Sequence, residues 1–184
     1  MNRTVTIHTC HGPRAAAQLD VILPVYEEVY AEPPYFEGPQ DVAEFLDHFD
    51  QQTSRPGFRL STAETGGTVI GFAYGHLLSP DTQWWTGLQK PLPAEFTTET
   101  GHRTFVIIEL AVRAPFRRHG VGTRLHAALL DGLTAERVTL TVRPEPEVAP
   151  ARRAYTAWGY RKVGQIQPWE GAPIYNSMVL NLAN

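Results

Sequence analysis

The sequence predicts an α/β fold: a mixed central sheet of about six to seven strands flanked by about four helices. Three observations predict it. Strand-like and helix-like segments alternate along most of the chain. A nearly unbroken apolar run, Val106-Ile-Ile-Glu-Leu-Ala-Val112, reads as a buried strand with a parallel neighbour. Directly after it comes Arg117-Arg118-His119-Gly120-Val121-Gly122-Thr123, a glycine loop that opens a helix. At 184 residues the chain has the length of a single domain, expected over 1–184, and is long enough to bury a core.

The elements follow in order. Arg3 to Thr9 alternates apolar and polar residues and predicts a strand. Pro13 suits a first helical turn, and Ala16, Leu19, Leu23 and Val25 or Tyr26 form a stripe that Pro24 is expected to kink or interrupt. Val42, Phe45, Leu46 and Phe49 mark the core side of a second helix. Phe58 to Ala63 and Val69 to Leu78 predict a hairpin through Thr65-Gly66-Gly67. Residues 79 to 102 hold prolines and the pair Trp84 and Trp85 without periodicity, as a long functional loop would. Then come a central strand, Thr104 to Val112, a helix, Gly120 to Leu133, and a strand, Val138 to Val142. A helix from Ala149 to Trp158 stops at Gly159, and Tyr160 to Ile166 and Tyr175 to Leu182 close with a hairpin.

Composition narrows the function. No stretch approaches the roughly 20 apolar residues of a membrane span, and the first ten residues lack a signal-peptide core, so a cytoplasmic protein is expected. A lone Cys10 excludes an internal disulfide framework, and the seven histidines form no metal-binding spacing, so no metal is expected. His119 and His126, two helical turns apart, read as solvent-facing. Net charge is only −3, but it is divided. No lysine or arginine lies between Arg14 and Arg55, a stretch carrying nine acidic residues from Asp20 to Asp50, whereas Arg103 to Lys162 is strongly basic. The bases gather at one glycine loop without interleaved aromatics, which does not suggest a nucleic-acid partner.

The loop is a phosphate-binding device. Glycine permits backbone angles that let successive N–H groups converge on an anion at a helix N-terminus, and Arg117, Arg118 and Arg124 add charge. A Walker A loop would need lysine after Gly122, where Thr123 stands, and a dinucleotide fingerprint would need a small residue at Leu125. Neither fits.

The R-x-x-G-x-G run after its strand resembles the acyl-CoA pyrophosphate loop of GNAT-superfamily N-acetyltransferases. A second element agrees: the family's A-x-x-x-Y-x-x-x-G-F/Y is similar to the run from Ala151 through Tyr155 to Gly159 and Tyr160. The resemblance spans nearly the whole chain; Val148 departs from it, standing where many members carry Asn.

The resemblance implies an acetyl-CoA-dependent N-acetyltransferase that transfers its acetyl group directly to a primary amine in a ternary complex. The cofactor would meet Arg117, Arg118, His119, Gly120, Val121, Gly122 and Thr123 at its phosphates. Backbone groups of Leu110, Ala111 and Val112 would pair with its pantetheine arm, with Leu110 N–H polarising the carbonyl. Glu109, an ionisable group inside an apolar strand, is either the general base or a structural carboxylate with a partner. Tyr155, on the helical face of Ala151 and Trp158, is either a core aromatic or, by the motif, the acid that protonates departing thiolate.

In the family the first two helices and the terminal hairpin frame the acceptor. Here they offer the acidic segment with Tyr26, Tyr30, Tyr35 and Phe36, and Trp169 with Glu170, so a cationic small-molecule amine is expected. Acetylation of a protein amine, a longer acyl donor, and a non-catalytic acyl-CoA sensor with this fold stay open. A homodimer through exposed Trp84 and Trp85 is also open, against local packing of both over the acceptor cleft.

Overall fold

The computed structural model describes residues 4–182. The strand expected from Arg3 therefore begins outside the described residues; the strand itself, β1, covers Thr6–His11. The chain divides into two compact units, Met1–His76 with Ile107–Leu133, and Leu77–Val106 with Thr134–Asn184. Among the described residues six α-helices form; the two beyond the expected four are single short turns. Among the described residues no helix is long and apolar enough to cross a membrane.

In the first unit, β1 leads into α1 (Gly12–Ala16), α2 (Leu19–Tyr30) and α3 (Pro39–Thr53). The interruption expected at Pro24 lies earlier, at Ala17 and Gln18, and α2 runs through Pro24. Proline removes one backbone donor there, and the helix still buries Ile22, Val25, Tyr26 and Val29 along one face, each apolar side chain contributing about 1.5–3 kcal/mol. Helix α3 starts at Pro39, with the Gly38 N–H donating to Asp41 Oδ2 at 2.8 Å, and buries Phe45 and Phe49 as its stripe predicts.

Strands β2 (Arg59–Thr65) and β3 (Thr68–Leu77) pair antiparallel around Gly66 and Gly67. Both glycines have positive φ, +57° and +77°, as a two-residue hairpin turn of the primed type demands. Phe49, Phe58, Phe72 and Tyr74 interlock at ring separations of 5.3 to 6.2 Å, the centre of the core between the two long helices and the sheet. On the other face lies α5 (Val121–Leu130), shorter at both ends than the expected 120–133. Arg59 terminates it, donating to the carbonyls of Leu129, Asp131 and Gly132, so a cation sits where the helix dipole is negative. Gly71 allows this packing: a Cβ there would stand 2.8 Å from the Ala111 carbonyl oxygen and 3.2 Å from Leu125.

The second unit holds the start of β4 (Thr104–Val112), β5 (Arg137–Val142), α6 (Ala149–Ala157), β6 (Arg161–Ile166) and β7 (Tyr175–Asn181). Strands β4 and β5 run parallel, paired from Thr104 with Arg137 to Val106 with Thr139. The seven strands are joined in the order β1-β2-β3-β4-β5-β7-β6, a mixed sheet as expected. The 79–102 excursion is mostly irregular, with one turn of helix, α4 (Ala94–Thr97). Its tryptophans are not exposed. Trp85 is 6% exposed; its indole N–H donates to Glu99, and the Arg137 guanidinium lies 5.2 Å over its ring. Trp84 is half-buried. The buried Glu99–Arg137 pair explains the packing, because an unpaired charge there would be costly.

Candidate functional site

Glu109 lies on β4 in the first unit, where it accepts a hydrogen bond at Oε2 from the Tyr30 hydroxyl of α2. Part of the residue keeps surface open, yet its carboxyl is closely surrounded by protein. Burial, reinforced by the charge of Glu37, pushes its pKa to about 8 against the lowering effect of the Tyr30 bond. An acid with that pKa exchanges protons near neutrality, as a general base must. Of the two readings of Glu109, the structural one called for a partner, and the partner found is a phenol.

Tyr30 belongs to a row of aromatics. Its ring lies 4.5 Å from Tyr26, one helical turn earlier, and 4.9 Å from Tyr35. Tyr26 repeats the pattern by donating its phenol proton to Glu37. Burial, with Glu109 the next cause, raises both phenols far above the ordinary tyrosine value and keeps them protonated. A cleft of about 330 Å³ opens beside them, lined by Tyr26, Glu27, Tyr30, Glu37 and Val42 among others. It is apolar-walled with carboxylates at its edge, suited to an alkyl ammonium.

The acidic segment is only partly available. Glu28 pairs with Arg113, and Glu32 takes Arg117 in a two-pronged bond of 2.6 and 3.0 Å. Two carboxylates expected to attract an acceptor are thus neutralised by arginines at and near the loop, and Glu27 and Glu37 are left at the cleft. Phe36 is 70% exposed. Trp169, in the second unit, is 65% exposed.

The loop differs from the expectation in detail. Left-handed backbone occurs at Gly120, φ +76°, and at Arg118, φ +67°, whereas Gly122 lies inside α5 with ordinary angles. Gly120 caps the helix, and the opening N–H groups of Val121, Gly122 and Thr123 have no carbonyl one turn earlier within it. No acidic residue occupies that first turn. A Cβ on Gly122 would touch only Leu110, at 3.7 Å, so the space above it is open. Arg117 is committed to Glu32 and to the Val112 carbonyl, at 2.7 Å, and Arg124 to the Val5 carbonyl, at 2.9 Å; Arg118 and His119 are exposed. The loop fits an anionic phosphate through its backbone and Arg118 rather than through three arginines.

Along β4 the three expected cofactor positions also separate. The Ala111 carbonyl faces Gly71 of β3, and Arg113 N–H donates to Ile70 of the same strand, at 2.9 Å. Strand alternation therefore turns the backbone groups of Leu110 and Val112 to the opposite edge, where Val112 already serves Arg117. Leu110 and Val112 are the two positions of the three that face that edge, and the Val112 carbonyl is the one taken by Arg117.

In the second unit, Tyr155 on α6 is 9% exposed and packs edge-on against Trp158 and Tyr160, at 5.5 and 5.7 Å. The expectation for His126 fails: it is 7% exposed, and burial drops its pKa to about 4, so it is a neutral core group. Among the described residues no cluster of three or more His, Cys, Asp or Glu could hold a metal. Sequence reasoning missed the Tyr30 bond and Glu37; the signal was the i, i+4 spacing of Tyr26 and Tyr30.

No curated protein matches the chain in sequence. Solved structures match it throughout at low identity, and so show the fold. A Desulfovibrio desulfuricans protein described as a putative acetyltransferase of the GNAT family has a TM-score of 0.66 at 17% identity, covering 98% of this chain and 100% of its own. The ribosomal-protein-S18-alanine N-acetyltransferase of Escherichia coli gives 0.64 at 16%, covering 98% and 97%. PaiA N-acetyltransferase of Thermoplasma acidophilum, solved with coenzyme A, gives 0.62 at 10%, covering 97% and 99%. The Acetyltransferase (GNAT) family matches residues 22–160, most of the sequence, and the chain belongs to that family.

Proposed function

We propose that this protein is an acetyl-CoA-dependent N-acetyltransferase whose acceptor is the primary amine of a cationic small molecule. The observation that carries the reading is the tyrosine-walled cleft edged by Glu27 and Glu37, in which Tyr30 is bonded to Glu109. A carboxylate that titrates near 8 takes a proton from an ammonium group more readily than an ordinary glutamate does. The aromatic rings of the wall favour an organic cation over a bulky anionic chain.

Acetyl-CoA supplies the activated acetyl thioester. Arg118, His119 and the N–H groups from Gly120 to Thr123 would hold its phosphates, and the Leu110 backbone would pair with its pantetheine arm and polarise the carbonyl. Glu109 removes the proton that keeps the acceptor nitrogen from attacking. Tyr155 is assigned, from the family motif, the return of a proton to the departing thiolate. With both substrates bound the acetyl group passes directly to the amine.

The test is a pH profile. Wild-type kcat/KM for the acceptor should rise through an inflection near pH 8, and Glu109→Gln should lose both the inflection and most of the rate while binding acetyl-CoA normally. Unchanged turnover of the Gln variant across the pH range would remove Glu109 as the base.

A further inference from the structure

The residues lining the acceptor cleft include Tyr30 and not Glu109, to which the Tyr30 hydroxyl is bonded. An amine seated in the cleft therefore meets Tyr30 before Glu109. A hydroxyl has one proton to donate and two lone pairs to accept with. Tyr30 directs its proton to Glu109 Oε2, which leaves its lone pairs for an N–H donor in the cleft.

We propose that Tyr30 is the proton relay of this reaction, the hydroxyl through which the acceptor ammonium passes its proton to Glu109. This rests on the N-acetyltransferase reading above. An N–H bond of the ammonium breaks as its proton joins the Tyr30 oxygen. In the same motion the Tyr30 O–H bond breaks and its proton joins Glu109 Oε2. The amine gains its lone pair, the phenol is regenerated, and Glu109 ends as a neutral acid. Burial of Tyr30 disfavours a free phenolate, so the two transfers are concerted.

The relay is held in place on several sides. The Tyr30 ring packs on Tyr26 and Tyr35, and the helix end carrying it is tied to β4 and its loop by Glu28–Arg113 and Glu32–Arg117. The other titratable groups acting on this dyad are Glu37, Tyr26, Tyr35 and, on β3, Tyr74. Tyr26 is bonded to Glu37 rather than to Glu109, so it does not offer the same path.

The experiment compares Tyr30→Phe, Glu109→Gln and the double variant with two acceptors in the intact protein. One is 1,4-diaminobutane, which is protonated at neutral pH; the other is hydroxylamine, which is already neutral there and needs no relay. Tyr30→Phe keeps the ring, and an unchanged thermal midpoint confirms the fold. With diaminobutane each single variant should lose about 100-fold in kcat, and the double variant should be no slower than the worse single one by more than about 3-fold, since both cut one path. With hydroxylamine the Phe variant should stay within about 3-fold of wild type, which a merely structural role would not allow. Independent losses that multiply, or a Phe variant as fast as wild type with diaminobutane, overturn the relay and leave the N-acetyltransferase reading standing. If wild type acetylates neither these nor any other amine of a broad panel, that reading fails and takes the relay with it.

Discussion

Replacing Glu109 by Gln should stabilise the protein in alkali while it damages catalysis. The pKa of Glu109 rises from an ordinary 4.5 to about 8 on folding. Each pH unit of that difference is about 1.4 kcal/mol, so the folded state disfavours the ionised form by on the order of 5 kcal/mol. The sign follows from proton counts. Between pH 4.5 and 8 the folded chain binds more protons at this site than the unfolded chain, so the Glu109 contribution falls as pH rises through that window. A glutamine amide at this position would still accept the Tyr30 bond and would carry no charge. The assay is urea unfolding of both proteins from pH 5 to pH 9. The stability difference, variant minus wild type, should grow by several kcal/mol across the series and level off above about pH 8. A flat difference would show that Glu109 titrates as an ordinary carboxylate and would refute the argument from burial.

His126 has the opposite sign: its folded pKa is depressed to about 4, so stability is lost as pH falls from about 6.5 toward 4, by up to about 3 kcal/mol, and His126→Gln should flatten that acid limb in thermal unfolding. Glu99→Ala leaves Arg137 without its buried carboxylate and should cost about 3–5 kcal/mol by denaturant titration. Gly120→Ala should cost about 1 kcal/mol because of its left-handed backbone, whereas Gly122→Ala should leave folding nearly intact and weaken coenzyme A binding by calorimetry. Glu37→Gln should raise acceptor KM more than it lowers kcat, and added salt should narrow the gap between the two proteins.

Much of the fold was legible because its signals are local. The apolar run and the glycine loop marked the bounds of β4 and the start of α5 nearly to the residue, and Gly66-Gly67 marked the hairpin. What stayed hidden depends on partners distant in sequence. Arg117 reads as a phosphate ligand until Glu32, 85 residues away, is seen to occupy it. His126 reads as exposed because a helical histidine carries no mark of its burial, and Trp85 because nothing local announces Glu99 and Arg137. Pro24 suggested a break that one-sided burial of α2 outweighs. Glu109 was legible as an oddity, a carboxylate in an apolar strand. Its partner was not, because the phenol that meets it lies 79 residues earlier.

The most direct test of the account is mass spectrometry of a broad amine panel incubated with acetyl-CoA and either wild type or Glu109→Gln, with released coenzyme A measured alongside. The account predicts one acetyl group on the nitrogen of small cationic amines, matched by released coenzyme A, and a wild-type rate about 100-fold above that of the variant. Preference for neutral or anionic acceptors, acetylation of protein amines in place of small ones, or equal rates from the two proteins would contradict it.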